Sequence, residues 1–158
     1  MKIGILREEK IPVDKRTPFS PSQCKRIIND YPNIEIYVQS SKFRCYSDQE
    51  YLLNDISVLE DIIFCDILFG IKEVPIDRLI SNKTYFFFSH TIKKQAYNRD
   101  LLKKMISLNI RMIDYEVLKF DNGKRILGFG RYAGIIGAYN GLLTYGLKTN
   151  LYNLKPAY

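Results

Sequence analysis

Short apolar runs, separated by helix-forming or charged stretches, most narrow what this chain can become. Lys2–Leu6 ("KIGIL"), Ile34–Val38 ("IEIYV"), Asp66–Ile71 ("DILFGI"), Thr84–Ser89 ("TYFFFS") and Ile110–Leu118 ("IRMIDYEVL") each read as a strand. The middle runs are continuously apolar rather than alternating, which suits strands covered on both faces of a parallel sheet. Between them lie helical signals. "SPSQCKRIINDY" opens on a Ser-Pro cap and stops before Pro32, and "SDQEYLLND" offers Ser47 or Asp48 as a cap. "PIDRLI" predicts a short helical crossover and "KKQAYNRDLLKKMISLN" an amphipathic helix. Regular alternation of strand and helix predicts an α/β fold: a three-layer, Rossmann-like (flavodoxin-like) domain with a mostly parallel sheet.

At 158 residues the chain is one domain's worth. The Asp121-Asn-Gly123 turn leads into "KRILGFG", expected as a late strand, and a long glycine-rich helix is expected to follow it.

"GFGRYA" (Gly128–Ala133) satisfies the letter of the dinucleotide-binding fingerprint. A working fingerprint also needs a second strand and an acid about twenty residues on. No acidic residue follows Asp121, and the residues after Ala133 are too few for a complete βαβ unit of roughly thirty residues or more. Gly130, Gly134, Gly137 and Gly141 recur at helical spacing, so they line one helix face where another backbone is expected to come close. Packing accounts for these glycines better than phosphate contact does.

The net charge of +7 does not mark a nucleic-acid binder, because the basic residues are scattered among acids and no recognition motif accompanies them. Cys24, Cys45 and Cys65 are widely spaced, and with one histidine they supply no zinc set, so no metal is expected. The longest uncharged run, Tyr132 to Leu147, is too short for a bilayer span. "MKIGILREEK" reaches charged residues too early for a signal peptide, which gives a cytoplasmic expectation.

Chemistry-bearing residues sit at telling places. Lys72 and His90 follow apolar strands, at the carboxyl ends where open α/β sheets bind ligands, so the two are expected to share a cleft. A lysine crowded by other cations can serve as a base, and a neighbouring histidine can carry a second proton. Arg16, on a proline-braced loop, and Arg125, beside Lys124, suit bidentate carboxylate binding. Lys93 follows His90, and "IDYEVL" offers Asp114 and Glu116. Taken singly, each of these also fits a solvated lysine, a structural histidine or a surface ion pair; only the set points to chemistry.

The segments "LREEK…DKRTPFSP", "GIKEVP", "FFFSHTIKKQ" and "IDYEVLKFDNGKRILGFGRYAGIIGAYNG" together resemble the N-terminal domain of the alanine dehydrogenase and transhydrogenase superfamily. Within it the "GKR…GFG.YAG..GA..G" block is similar to the lysine-forming saccharopine dehydrogenase branch. The resemblance runs from Lys2 to about Gly146. It implies an enzyme portion that acts on saccharopine with NAD, giving lysine and 2-oxoglutarate through an imine. It implies Lys72 and His90 as the acid–base pair. Arg16 and Arg125 would hold substrate carboxylates, with Lys93 and Lys124 adding positive charge. Asp14 and Glu116 would tune the lysine and receive the substrate's ammonium group.

The resemblance further implies that NAD sits on a Rossmann domain absent from this chain, supplied in cis or in trans, and that the glycine-rich helix connects the two domains. Residues 1–158 are thus expected to be a single substrate-binding domain, inactive alone because nothing would hold the nicotinamide. A stand-alone binder of a small dicarboxylic amino acid or 2-oxo acid, and an alanine-dehydrogenase-like portion, are the alternatives. Neither nucleic acid nor membrane is expected as a partner, and self-association through helix 130–148 is.

Overall fold

The computed structural model describes residues 1–128 and 130–156. It divides into two compact units, Met1–Leu118 and Lys119–Tyr158. The first is built on six strands: β1 (Lys2–Ile5), β2 (Glu35–Gln39), β3 (Ser57–Leu59), β4 (Ile67–Phe69), β5 (Thr84–Phe87) and β6 (Arg111–Asp114). All pair in parallel, in the order β3-β2-β1-β4-β5-β6. This is the strand order of doubly wound dinucleotide folds, whose direction reverses between β1 and β4.

Side-chain alternation along the strands builds two cores. Ile3, Ile5, Ile36 and Val38 pack with Cys24 of α1 (Pro21–Asp30) and Tyr51 of α2 (Asp48–Leu52). Leu68, Tyr85 and Phe87 pack with Leu101 and Met105 of α3 (Arg99–Ser107). Helices therefore cover both faces, giving the three layers. Each fully buried Leu or Phe contributes roughly 1.5–3 kcal/mol.

The helix starts follow local chemistry. Ser20 and Gln23 form a capping box, with the Ser20 N–H donating to Gln23 Oε1 at 2.8 Å and the Gln23 N–H to Ser20 Oγ at 3.3 Å. Ser47 and Glu50 repeat it at α2.

Three sequence expectations are redrawn. The amphipathic segment does not form one helix: His90 and Lys94 are left-handed (φ 56° and 53°), breaking it into single 3-10 turns at Thr91–Lys93 and Ala96–Asn98 before α3 begins. The described residues of "KRILGFG" form no strand; after the Asp121–Gly123 turn, with Gly123 at φ 79°, the segment makes one antiparallel bridge, Lys119 to Arg125. Phe129 of the glycine motif lies outside the described residues. In the second unit, α4 (Gly130–Thr149) is the long glycine-rich helix. Among the described residues, however, a Cβ at Gly130, Gly134, Gly137 or Gly141 would meet nothing within 4 Å. The tight glycine is Gly146, where a Cβ would lie 2.5 Å from Tyr152 Cε2. The chain turns back there through left-handed Asn150, and the Tyr152 hydroxyl donates to the Leu142 carbonyl at 2.9 Å.

Candidate active site

The carboxyl edge of the sheet gathers most of the residues singled out from the sequence. Beyond β4 and β5 the backbones stay paired for two further residues: the Gly70 N–H donates to Phe86 O at 2.9 Å and the Phe88 N–H to Ile71 O at 3.0 Å. Lys72 and Ser89-His90 emerge directly after that last bond, on neighbouring strand ends.

Lys72 is half-buried and lines a cleft of about 150 Å³ at the point where the strand order reverses, together with Leu6, Glu8, Gln39, Gly70 and Arg78. Its backbone is held from the loop after β1: Glu8 Oε1 accepts the Ile71 N–H at 2.6 Å and Oε2 the Lys72 N–H at 2.9 Å. Burial pushes the Glu8 carboxyl up to about 7, against these two amide donors, which favour its charged form. Glu8 was not singled out from the sequence; its partners lie 63 and 64 residues away, so no local spacing marks it.

Asp14 and Arg16 fold onto each other on the β1–α1 loop. The Arg16 backbone N–H and Nε donate to Asp14 Oδ1 at 3.0 and 2.8 Å, and Arg16 Nη2 pairs with Oδ2. The Arg16 guanidinium holds the Asp14 carboxyl below the usual range, and the charge of Lys72 adds to the effect. Lys72 and Asp14 also line a second, shallower hollow with Lys10 and Val13.

His90 belongs to a different cluster. Its Nδ1 lies 2.9 Å from Glu116 Oε2, while Lys93 Nζ pairs with Glu116 Oε1 at 3.1 Å. The His90 bond, followed by burial acting the other way and then Lys93, leaves the Glu116 carboxyl below its usual range. His90 does not line either of these two hollows, and its own charged contacts are Glu116 and Lys93.

Lys124 and Arg125 lie in the second unit, in its own hairpin. There the Lys124 N–H donates to Asn122 Oδ1 at 3.0 Å and the Lys124 carbonyl accepts from Phe120 at 2.8 Å. Both side chains are exposed.

The strand order invites a dinucleotide, but the residues do not fit one. The β1–α1 connection, residues 6–20, contains no glycine and carries two carboxylates, Glu8 and Glu9, whose charge opposes a pyrophosphate. The Ser20 and Gln23 amides at the start of α1 are already used by the capping box. No described strand leads into Gly128. Among the described residues no group of three His, Cys, Asp or Glu is placed to hold a metal, and no helix is long and apolar enough to cross a membrane.

Residues 4–136 match the family described as alanine dehydrogenase/PNT, N-terminal domain. The chain belongs to this family. An alpha-aminoadipic semialdehyde synthase of Arabidopsis thaliana is 35% identical over 99% of this chain, and the match occupies 16% of the synthase. A saccharopine dehydrogenase [NAD(+), L-lysine-forming] of Candida albicans is 31% identical over 90% of this chain and 38% of its own length. The chain thus spans between a sixth and two fifths of these relatives. An L-alanine dehydrogenase structure superposes with a TM-score of 0.62, at 16% identity, covering 78% of this chain and 35% of that one, which shows a shared fold. This alanine dehydrogenase/PNT N-terminal domain is therefore of the kind that saccharopine and alanine dehydrogenases carry.

Proposed function

We propose that this domain binds the substrate and moves the protons in a saccharopine-dehydrogenase-like oxidoreductase, with NAD held on a nucleotide-binding domain in cis or in trans. The overall reaction converts saccharopine, NAD+ and water to lysine, 2-oxoglutarate, NADH and a proton. In this reading Lys72 exchanges a proton with the substrate nitrogen, and His90 serves the water that hydrolyses the imine. Arg16 and Arg125 hold substrate carboxylates, and Lys93 and Lys124 add positive charge. Asp14 tunes Lys72, and Glu116 receives the substrate's ammonium group.

The observation that carries the reading is the placement of Lys72 and His90 just past the Phe88–Ile71 bond on adjacent strand ends, each with a carboxylate anchoring it. A pure binding pocket has no need of two proton-transfer groups so placed.

The test is turnover of saccharopine with NAD when the chain is joined to, or mixed with, a nucleotide domain of a relative. Lys72→Met is expected to lower kcat by roughly 10²–10⁴-fold while leaving saccharopine affinity within a few-fold. A second reading is a stand-alone binder of dicarboxylic amino acids. That reading predicts saccharopine or 2-oxoglutarate binding with no turnover in any pairing. Turnover unaffected by Lys72→Met would overturn the acid–base assignment.

A further inference from the structure

Asp114 closes β6 with a carboxylate that is only 7% exposed and whose two oxygens are both engaged. Oδ2 accepts the Ser89 hydroxyl at 2.6 Å and the His90 main-chain N–H at 3.1 Å. Oδ1 accepts the Glu116 main-chain N–H at 2.8 Å. The donors come from two different strand ends, and all three are neutral. A buried carboxylate is costly unless such donors surround it, and a strand end needs no charge merely to stop.

What the grip holds is unusual backbone. His90 stands at φ 56°, a left-handed conformation that disfavours any residue with a Cβ. Its carbonyl is held as well, accepting the Lys93 N–H at 3.0 Å and Asn98 Nδ2 at 3.2 Å. With both peptide groups fixed, the ring comes to Glu116 with Nδ1 and Oε2 2.9 Å apart. Glu116 is kept in its charged form, first by His90 and further by Lys93. Lys93 Nζ, 3.2 Å from the same nitrogen, can only donate, so the two contacts compete for Nδ1; the shorter one, to a carboxylate oxygen that cannot donate, assigns the proton to Nδ1. Nε2 is then the ring atom left to exchange protons. Glu116 and Lys93 both face the ring.

We propose that Asp114 is a positioning residue: by holding the main chain of both His90 and Glu116 it sets their pairing, fixes the ring in its Nδ1–H form and presents Nε2. Its importance for turnover rests on the reading of His90 as a proton-transfer residue; its effect on the ring does not.

His90 is the sole histidine of the sequence, so ¹⁵N-histidine labelling of this chain gives one imidazole to follow. The unchanged chain, with its ring neutral, is expected to show the Nδ1–H form. Asp114→Asn keeps the side chain's size but leaves one accepting oxygen. It is expected to lose that preference and pass to the Nε2–H form usual for free histidine, while the amide spectrum of the sheet is unchanged. Ser89→Ala removes one donor, leaves both main-chain bonds, and is expected to keep the Nδ1–H form. A folded Asp114→Asn chain that retains the Nδ1–H form would overturn the proposal. If Asp114→Asn does not fold, hydrogen exchange on the unchanged chain decides. The His90 and Glu116 amides, on separate elements, must then be protected together, and rapid exchange at either overturns the proposal. These readouts need no turnover, so a failure of the dehydrogenase reading leaves them standing, and their failure leaves that reading standing.

Discussion

Glu8 holds the backbone of Lys72: its Oε2 accepts the Lys72 N–H at 2.9 Å across 64 residues of sequence. Its other oxygen takes the preceding amide, Ile71, at 2.6 Å. One side chain from the loop after β1 thus fixes the two residues that follow β4 and Gly70, at the point where the sheet changes direction. Glu8→Ala strips both amides of their acceptor. A hydrogen bond contributes about 0.5–1.5 kcal/mol net, so losing both is expected to cost on the order of 2 kcal/mol. Urea denaturation followed by circular dichroism measures this, and an unchanged midpoint would show that water replaces the carboxylate at no cost.

The same carboxyl makes a pH signature. Its folded value, raised from 4.5 to about 7, lies above its unfolded one, so the folded state holds the proton more tightly. The stability it contributes is complete below pH 4.5 and is lost as pH rises through about 7, by up to about 1.4 kcal/mol per pH unit inside that window. Asp14 and Glu116 act in the opposite sense. Their lowered values give stability that is present above the ordinary carboxylate range and lost on acidification. Comparing the unchanged chain with Glu8→Gln from pH 4.5 to 7 isolates the first effect. The variant is expected to gain steadily on the parent as pH rises, and a constant difference would place the Glu8 carboxyl at its ordinary value.

How much of this was legible depended on how local each signal is. The caps at Ser20 and Ser47 were readable because their partners, Gln23 and Glu50, lie three residues on. The long strands declared themselves through apolar runs. Ser57–Leu59 did not, since a three-residue edge strand is defined by its register with Tyr37–Gln39 rather than by its own pattern. The helix expected from Lys93 was delayed to Arg99 because left-handed backbone at His90 and Lys94 outweighed helical propensity. Lys72, His90, Arg16 and Glu116 were visible as chemistry at strand ends and in loops. Glu8 was not, because only the fold brings it beside Ile71 and Lys72.

Arg16 is engaged with Asp14 through backbone and guanidinium together, which pre-shapes the β1–α1 loop. Arg16→Lys keeps the charge but loses the planar fork, so a substrate carboxylate held bidentately would be bound about tenfold or more weakly. Calorimetric titration of saccharopine or 2-oxoglutarate into this chain reads the effect. Equal affinity for the arginine and lysine forms would remove Arg16 from the binding site.

Gly4 sits mid-strand in β1, opposite Tyr37 and Leu68. A Cβ there would lie 2.8 Å from Leu68 Cδ2, 2.9 Å from Ile62 Cδ1 and 3.2 Å from Cys65 Cβ. The two closest atoms are side-chain ends, but they belong to a core that also holds Tyr85 and Phe87. Gly4→Ala is therefore expected to cost about 1–3 kcal/mol through overpacking, despite alanine's better strand entropy. Thermal denaturation checks it; a stabilised variant would mean that the Ile62–Leu68 layer relaxes freely.

The second unit carries the remaining prediction. Along α4, Ile135, Ile136, Leu142, Tyr145 and Leu147 are all exposed, at 54%, 44%, 58%, 54% and 57%. Gly134, Gly137 and Gly141 share another face of the helix, next to Tyr145, where open space would let a second backbone approach. Exposed apolar side chains gathered on one element mark interaction surfaces. The isolated chain is expected to self-associate through this helix, so its mass by light scattering should rise with concentration. Leu142→Lys places a charge within the surface and should return the chain toward a monomer. A chain that stays monomeric at high concentration, with or without the lysine, would exclude α4 as a self-association surface.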